Sequence, residues 1–491
     1  MNSGKFLSLS LLLATGFSSS IYAQDVTDAL RYSYLSPMGT ARSVGFGNAL
    51  GSVGGDFSSL SVNPAGIGIY RTSEIMLTPA LRMNSVDATY QNNGTSDNNT
   101  RFNFNNIGIV ISNGLKGRRY ERSKWKAVSF AVGFNRLADF NRDYNYNGNN
   151  SGPNSSSYSE LFAIDANTNG GALGQAASTA GVITLDSSQN LYKTVVPWQA
   201  GINQGRIVSE RGGLNEVVVS FGGNYMEHLM LGATIGIPVI NYSRDAQVTE
   251  TALATTPGFY SYTYSESLTT HGNGINLKLG AIYKFNDYFR IGAAVHTPTY
   301  YSMHDEYSYT INNSGVTPAF FNGTYDYNMT TPWRGILSAT GLIGKYGFIS
   351  VDYEYVDYSS TRFTFDAANK DFQQSLNDEI KATYKPASIF RLGAEGKVTK
   401  NFMLRAGVGY YGSPAKNSSI SDNRIDVSGG VGFRFDHFYI DLAYVHTQLN
   451  GQEQFYQLNY TDATGNPYSI TQNASLQNSL NTAVMTVGFK F

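Results

Sequence analysis

Of 491 residues only 14% are charged, against roughly 25% in an ordinary soluble domain, while Tyr (35), Phe (28) and Gly (51) are abundant, a balance that suits aromatic-rich strands joined by polar connections. With no Cys, a disulfide framework and a thiolate metal site are both excluded. The formal net charge of -1 gives no reason to expect nucleic acid as a partner.

At the N-terminus Lys5 precedes an apolar run from Phe6 to Leu13, and small and polar residues lead to Ile21-Tyr22-Ala23. These are the three parts of a secretory signal peptide, expected to span 1–23 with cleavage after Ala23. The apolar run falls short of the ~20 residues that a membrane anchor needs. Export to the outer membrane of a Gram-negative cell is the expected localisation.

Residues Gln24 to Arg71, the body of an expected N-terminal unit 24–73, do not alternate. Asp28-Ala29-Leu30-Arg31-Tyr32 suits a helical turn, and Gly45, Gly47, Gly51, Gly54 and Gly55 favour a compact irregular path. A stretch of about 48 residues has too little surface to bury to be stable alone, so it is expected to be a plug enclosed by the rest of the chain.

From Glu74 onward a two-residue period recurs. In the last strand Ala483, Met485, Val487, Phe489 and Phe491 share one face, and Thr482, Thr486, Gly488 and Lys490 the other. Ile425, Val427, Val431, Phe433 and Phe435 do the same between Arg424 and Phe435. Tight connections at Glu227-His228, Asn286-Asp287, Lys345-Tyr346, Lys400-Asn401 and Asp436-His437 fall at every second junction. Longer polar stretches lie around 92–99, 149–213, 366–385, 413–423 and 451–480. Short turns on one rim and long loops on the other describe an outer-membrane barrel with its short turns in the periplasm. Three strands before the 149–213 excursion and eleven after it make fourteen. The expected fold is therefore all-β, a transmembrane 14-stranded antiparallel β-barrel over 74–491 with a long extracellular loop at 149–213. Asp426, Arg434, Asp441, Lys278, Lys284, Arg290, Asp352, Glu354 and Arg405 fall on the polar face, where a water-accessible lumen would accept them. The competing reading is a soluble barrel or sandwich with that face in solvent.

Within the non-alternating segment, Gly54-Gly55-Asp56-Phe57-Ser58-Ser59-Leu60-Ser61-Val62-Asn63-Pro64-Ala65-Gly66 follows Ala41 to Leu50 and directly precedes the first strand. This arrangement resembles the FadL-like long-chain fatty acid outer-membrane transporters, a family that includes carriers of aromatic hydrocarbons. The similarity is strongest over Ser33 to Leu81. It implies a small N-terminal hatch whose Asp56, Asn63, Pro64, Ala65 and Gly66 take part in gating, and passive uptake of a hydrophobic small molecule by a monomer in contact with outer-membrane lipid and lipopolysaccharide. It also implies sideways release where strand three bends. The candidate bend is Phe130 to Phe140, where alternation slips after Phe134 and Gly133, Asn135 and Asp139 are poor strand residues. The plainer readings are a rigid Asn-Pro turn that steers the chain into the barrel, and an ordinary bulge. A surface-exposed barrel with a binding or structural role, adhesin-like or a haem receptor, and an open aqueous porin are the alternatives.

No catalytic residues, metal site or cofactor are expected. Gly407-Val408-Gly409-Tyr410-Tyr411-Gly412 fits a dinucleotide fingerprint only by letter, because no helix follows. The six His show no paired ligand spacing, and only His296 and His304 suggest a weak haem alternative. There is no nucleophile elbow, no heptad or solenoid repeat, and no segment read as polybasic.

Overall fold

The computed structural model describes residues 25–152, 155–169, 171–256, 259–416, 423–461 and 467–491. The expected signal peptide, 1–23, lies outside them.

Fourteen strands close one antiparallel barrel. They are β1 Glu74–Tyr90, β2 Asn93–Gly114, β3 in two pieces Trp125–Asp139 and Arg142–Asn150, β4 Ile202–Tyr225, β5 Leu229–Thr256, β6 Phe259–Lys284 and β7 in two pieces Phe289–His296 and Tyr300–Asn313. There follow β8 (Ala319–Thr330 and Arg334–Leu342), β9 (Gly347–Asp357 and Arg362–Thr364), β10 Pro386–Lys397, β11 Phe402–Tyr411, β12 Arg424–Arg434, β13 Phe438–Thr461 and β14 Pro467–Lys490. Each pairs with its neighbours in sequence, and β14 returns to β1 in a register running from Glu74 opposite Lys490 to Thr89 opposite Ser475. Closure leaves no free edge along the seam.

The outward face explains where the membrane lies. On β5, Leu231, Ile235 and Ile237 are exposed, and the same face then turns to Asn241, Asp245 and Gln247. On β6, Leu279, Leu277 and Ile275 give way to Asn273 and His271, which pairs with Asn241. On β14, Phe489, Val487, Met485 and Ala483 give way to Asn481. The switch falls at one level around the wall, and the apolar stretch matches the ~9–11 residues of a tilted membrane-crossing strand. No helix among the described residues is long and apolar enough to cross a membrane, so the crossing is made by strands.

Beyond the belt the strands continue. The segment 92–99, read as a loop from its polarity, is instead the start of β2, joined to β1 by a tight turn at Gln91 and Asn92 with φ of 48° and 62°. In the stretch read as 451–480, residues 451–461 and 467–480 likewise continue β13 and β14. The excursion read as 149–213 narrows to 151–201, since β3 runs to Asn150 and β4 starts at Ile202. It holds two helices, Ser159–Asn169 and Ala172–Thr179, and a short hairpin. Phe162, Ala177, Val182 and Ile183 from this loop pack on Tyr90, Tyr146, Tyr262, Tyr264, Phe455 and Tyr456 of the wall, closing the long-loop end with a dry aromatic core.

Candidate functional site

The N-terminal segment occupies the lumen at the level of the apolar belt. Helix α1, Val26–Ser33, starts at a capping box formed by Asp25 and Asp28. Helix α2, Ala41–Gly45, is capped by Thr40, and Thr40 Oγ1 donates to Asp56 at 2.9 and 2.8 Å. Asp56 also accepts from the Ser58 amide at 2.9 Å, so this carboxylate ties two turns of the segment to each other. Its hydrogen-bond partners among the described residues all belong to the segment.

Asn63 reaches the wall directly. Its Oδ1 accepts from the Ala65 amide at 3.1 Å, capping a short 3₁₀ turn whose first residue is Pro64, where a missing N–H costs nothing. Its Nδ2 donates to Gly51 O at 2.6 Å, with Ala281 O on β6 at 3.2 Å and Ala293 O on β7 at 3.4 Å. Ala65 is buried against Met230 and Ile282, and the Gly66 carbonyl accepts from the Gly55 amide at 3.0 Å. Asn63→Ala strands these buried partners, which costs about 1–3 kcal/mol. Faster tryptic cleavage at Arg42 in the variant than in the unsubstituted protein is the expected readout.

The wall is shaped to receive the segment, a feature that sequence reading missed. A Cβ on Gly280 would sit 1.9 Å from Asn63 Oδ1, on Gly232 2.2 Å from Pro64 O, on Gly292 2.2 Å from Gly51 O, and on Gly393 1.9 Å from Phe46 O. Gly108 and Gly133, paired across β2 and β3, would place theirs 2.2 and 2.5 Å from the Phe57 ring. The signal was present as glycines on inward positions of several strands, but it has no meaning until something fills the lumen.

Charge completes the seat. The nine polar-face charges were expected in water; Asp441, Asp352, Lys278, Glu354, Arg405 and Asp426 are buried instead, because the segment displaces solvent and carboxylates meet cations. Arg405 bonds Glu395 and Asp441 at 2.7 Å each, Arg434 also reaches Asp441 at 2.8 Å, and Arg42 of the segment joins through Glu395 at 3.0 Å. Lys278 pairs with Glu216, whose carboxylate accepts from Ser61 at 3.2 Å. Asp352 accepts from the Gly51 amide at 2.9 Å. Burial works against the Arg31 cation, yet Tyr242 and Glu210 beside it hold its pKa above the ordinary value. His296 faces inward and bonds Val62 O at 2.9 Å, whereas His304 is half-exposed beside Asp326, so the two do not share a site.

The three bend candidates lie along one discontinuity. The β2–β3 ladder ends at Asn106 opposite Asn135, while β3 stays paired with β4 to Asp139 opposite Gly213 and again from Arg142 opposite Glu210 to Asn150 opposite Ile202. The irregularity expected after Phe134 falls between Arg136 and Ala138, and β2 has its own between Asn106 and Phe104. Gly133 sits just inside the last pairs, and Asn135 donates to Ser61 of the segment at 2.8 Å. Asp139 stands in the unpaired part, accepting from Asn103 at 3.1 Å and Arg136 at 2.7 Å. Further out the gap is spanned by side chains of β2 that reach side chains or carbonyls of β3, including Asn99 to Asp143 at 2.8 Å and Asn93 to Asn147 O at 3.0 Å, and by Asn145 to Asp97 at 2.6 Å.

A second break separates β9 from β10 beyond Asp357 opposite Pro386. There a helix, Lys370–Thr383, offers side-chain amides in place of a strand: Asn377 both accepts from Phe363 N and donates to Phe363 O at 2.9 Å, and Gln373 accepts from Phe365 N at 2.9 Å. Tyr384, just past the helix, donates to Val26 O of α1 at 3.1 Å.

A closed barrel with a lipid-facing belt and a built-in lumenal segment defines an outer-membrane transport protein. The chain belongs to the outer membrane protein transport protein family (OMPP1/FadL/TodX), whose model matches residues 206–490. That match lies within the barrel and does not include the Asn63-Pro64-Ala65 segment. Among solved structures, a Pseudomonas aeruginosa FadL homologue is similar over 94% of this chain and 100% of its own, with a TM-score of 0.54 and 12% identity. The toluene transporters TbuX of Ralstonia pickettii (TM-score 0.52, 15% identity) and TodX of Pseudomonas putida (0.54, 12%) are each similar over 92% of this chain and 98% of theirs. At such identities the likeness is one of fold. No curated protein matches this chain.

Proposed function

We propose that the protein is a passive outer-membrane uptake channel for hydrophobic small molecules, long-chain fatty acids or similar, held closed by residues 24–73 acting as a hatch. The observation that carries this reading is the coincidence of the wall discontinuity with the segment behind it. Phe57 lies against Gly108 and Gly133, and Ser61 bonds Asn135, at the point where the β2–β3 ladder stops. A ligand that favours a displaced segment over the seated one withdraws both contacts, and the gap between β2 and β3 becomes a sideways exit to lipid. A ligand with equal affinity for the two states opens nothing. The relatives described as toluene transporters support an apolar cargo.

Uptake of labelled oleate and of toluene by a deletion strain, with and without the gene restored, tests the reading. Unchanged uptake of both would reject it. The gap has its own test in this Cys-free chain: Asn103→Cys with Asp139→Cys, oxidised across the gap, is expected to lower uptake about tenfold by blocking a gating step, reversibly on reduction. A second reading, a surface-exposed barrel with a binding role, draws on the aromatic core that fills the long-loop end. It requires normal uptake in the deletion strain together with lost adhesion or ligand capture.

A further inference from the structure

The connection between β2 and β3, on the short-turn rim, together with the first two residues of β3, carries six cations in eleven residues: Lys116, Arg118, Arg119, Arg122, Lys124 and Lys126. This is the polybasic segment that the sequence reading passed over, since helix-breaking Gly117 and the interleaved Tyr120 and Glu121 disguise it. None of the six has an ion-pair partner among the described residues, whereas Arg42, Lys278, Arg334, Arg391 and Arg405 in the lumen are each paired with a carboxylate. The acids that face the connection are Glu121 on its own short helix, Gly117–Arg122, and Glu227 on the neighbouring turn. Glu227 is engaged by Arg71 and, at 2.9 Å, by the Tyr120 hydroxyl. Tyr120 in turn fixes the fold of the connection, because Lys126 donates to its carbonyl at 2.5 Å and lies 4.3 Å from its ring centre.

Two further observations give this charge a direction. Arg118, Arg119 and Arg122 surround a single shallow depression of about 410 Å³ with Leu115 and Ser123. The connection also runs directly into Trp125, 44% exposed, which shares this rim with exposed Tyr288, Tyr346 and Phe489 at the edge of the apolar belt. Aromatics at that level mark the boundary between acyl chains and headgroups. Beside that boundary the guanidinium groups are at the level a headgroup phosphate would take, and planar guanidinium groups match phosphate oxygens in paired hydrogen bonds.

We propose that Lys116–Lys126 is a binding site for an anionic phospholipid, with the phosphate held by Arg118, Arg119 and Arg122 and the glycerol end beside Leu115 and Trp125. The bound lipid would sit at the foot of the same β2–β3 pair whose ladder stops at Asn106. The site stands on the fold and the belt, and is independent of whether the barrel transports anything.

The test is native mass spectrometry of the full mature protein released from nanodiscs of phosphatidylethanolamine with phosphatidylglycerol at about four to one, a mixture that supplies anionic headgroups for basic side chains to select. The unsubstituted protein is expected to retain phosphatidylglycerol over phosphatidylethanolamine. Arg118→Gln, Arg119→Gln and Arg122→Gln together, all on an exposed helix, are expected to lower that retention by about tenfold to a hundredfold. Lys370→Gln, Lys381→Gln and Lys385→Gln, on the opposite end, remove the same net charge and are expected to leave it unchanged. Equal retention by the arginine variant and the unsubstituted protein overturns the proposal, as does an equal loss in the lysine variant. Displacement by millimolar glycerol 3-phosphate, which offers the headgroup without acyl chains, also overturns it in favour of a soluble phosphate ester.

Discussion

Gly280→Val combined with Gly393→Val is expected to give a barrel that folds and an inner segment that no longer seats. The added carbons fall 1.9 Å from Asn63 Oδ1 and 1.9 Å from the carbonyl oxygen of Phe46, and the second of these is backbone that has nowhere to retreat. Overpacking of this kind costs about 1–3 kcal/mol per site, and two sites far apart add to roughly 2–6 kcal/mol, enough to shift a seated-to-displaced ratio by about thirtyfold or more. The strands themselves lose nothing, since Val is a better strand residue than Gly and the ladders of β6 and β10 are unchanged. Two measurements separate seat from barrel. Tryptic cleavage at Arg31 and Arg42 should accelerate while the heat-modifiable band of the folded barrel persists, and planar-bilayer conductance should rise from the level of the intact protein. A double variant as protease-resistant and as closed as its parent would show that the glycines do not shape the seat.

The strands inside the membrane were legible because lipid and lumen differ sharply. Residues 483–491 show this: every second side chain from Ala483 to Phe491 meets lipid, and the alternation is visible in the letters alone. The tight turns at Asn286-Asp287 and Asp436-His437 were legible for the same reason, as interruptions of a strong period. Above the belt that contrast disappears. On β14, Gln477, Ser479 and Asn481 face water where Met485 faced oil, so a polar run that is still fully hydrogen-bonded reads as a loop. Composition reports the solvent, and it reports the ladder only while the two faces see different solvents.

The site was half legible. Asn63-Pro64 was visible as a rigid turn, and its asparagine does cap the 3₁₀ helix that follows. What that asparagine holds was not visible, because Ala281 and Ala293 are more than two hundred positions away. The same applies to the charges. Arg405 and Asp441 are unremarkable lumenal residues until both are found against one another with 0% side-chain exposure. A lone charge on a polar face points to water, and only the knowledge that the lumen is occupied turns it into half of a pair.

Removing one such partner is expected to have the largest effect on the barrel itself. Glu354 on β9 receives Arg334 from β8 at 2.7 Å and Arg391 from β10 at 2.6 Å, all three side chains being at most 7% exposed. Arg334 also donates to Ser33 O, at the end of α1. Glu354→Ala therefore removes the carboxylate that bridges two buried guanidinium groups, and breaking a buried pair in this way costs about 3–5 kcal/mol. Glu354→Gln keeps the size and one acceptor and should cost less, about 1.5–3 kcal/mol, the worth of hydrogen bonds to a charged group. The midpoint of urea unfolding in phosphatidylcholine vesicles should fall in the order native, Gln, Ala, with an unchanged slope if the exposed surface is the same. Replacing all three by Arg334→Met, Glu354→Leu and Arg391→Met removes the charges together and should restore the midpoint, because a well-packed apolar triad carries no desolvation cost. The two readouts then part company. The triple variant regains barrel stability but has lost the donor to Ser33, so α1 should remain open to trypsin at Arg31 while the barrel resists urea. If the triple variant protects Arg31 as well as the native protein does, the arginine is a wall residue only and α1 is held by its aromatic contacts.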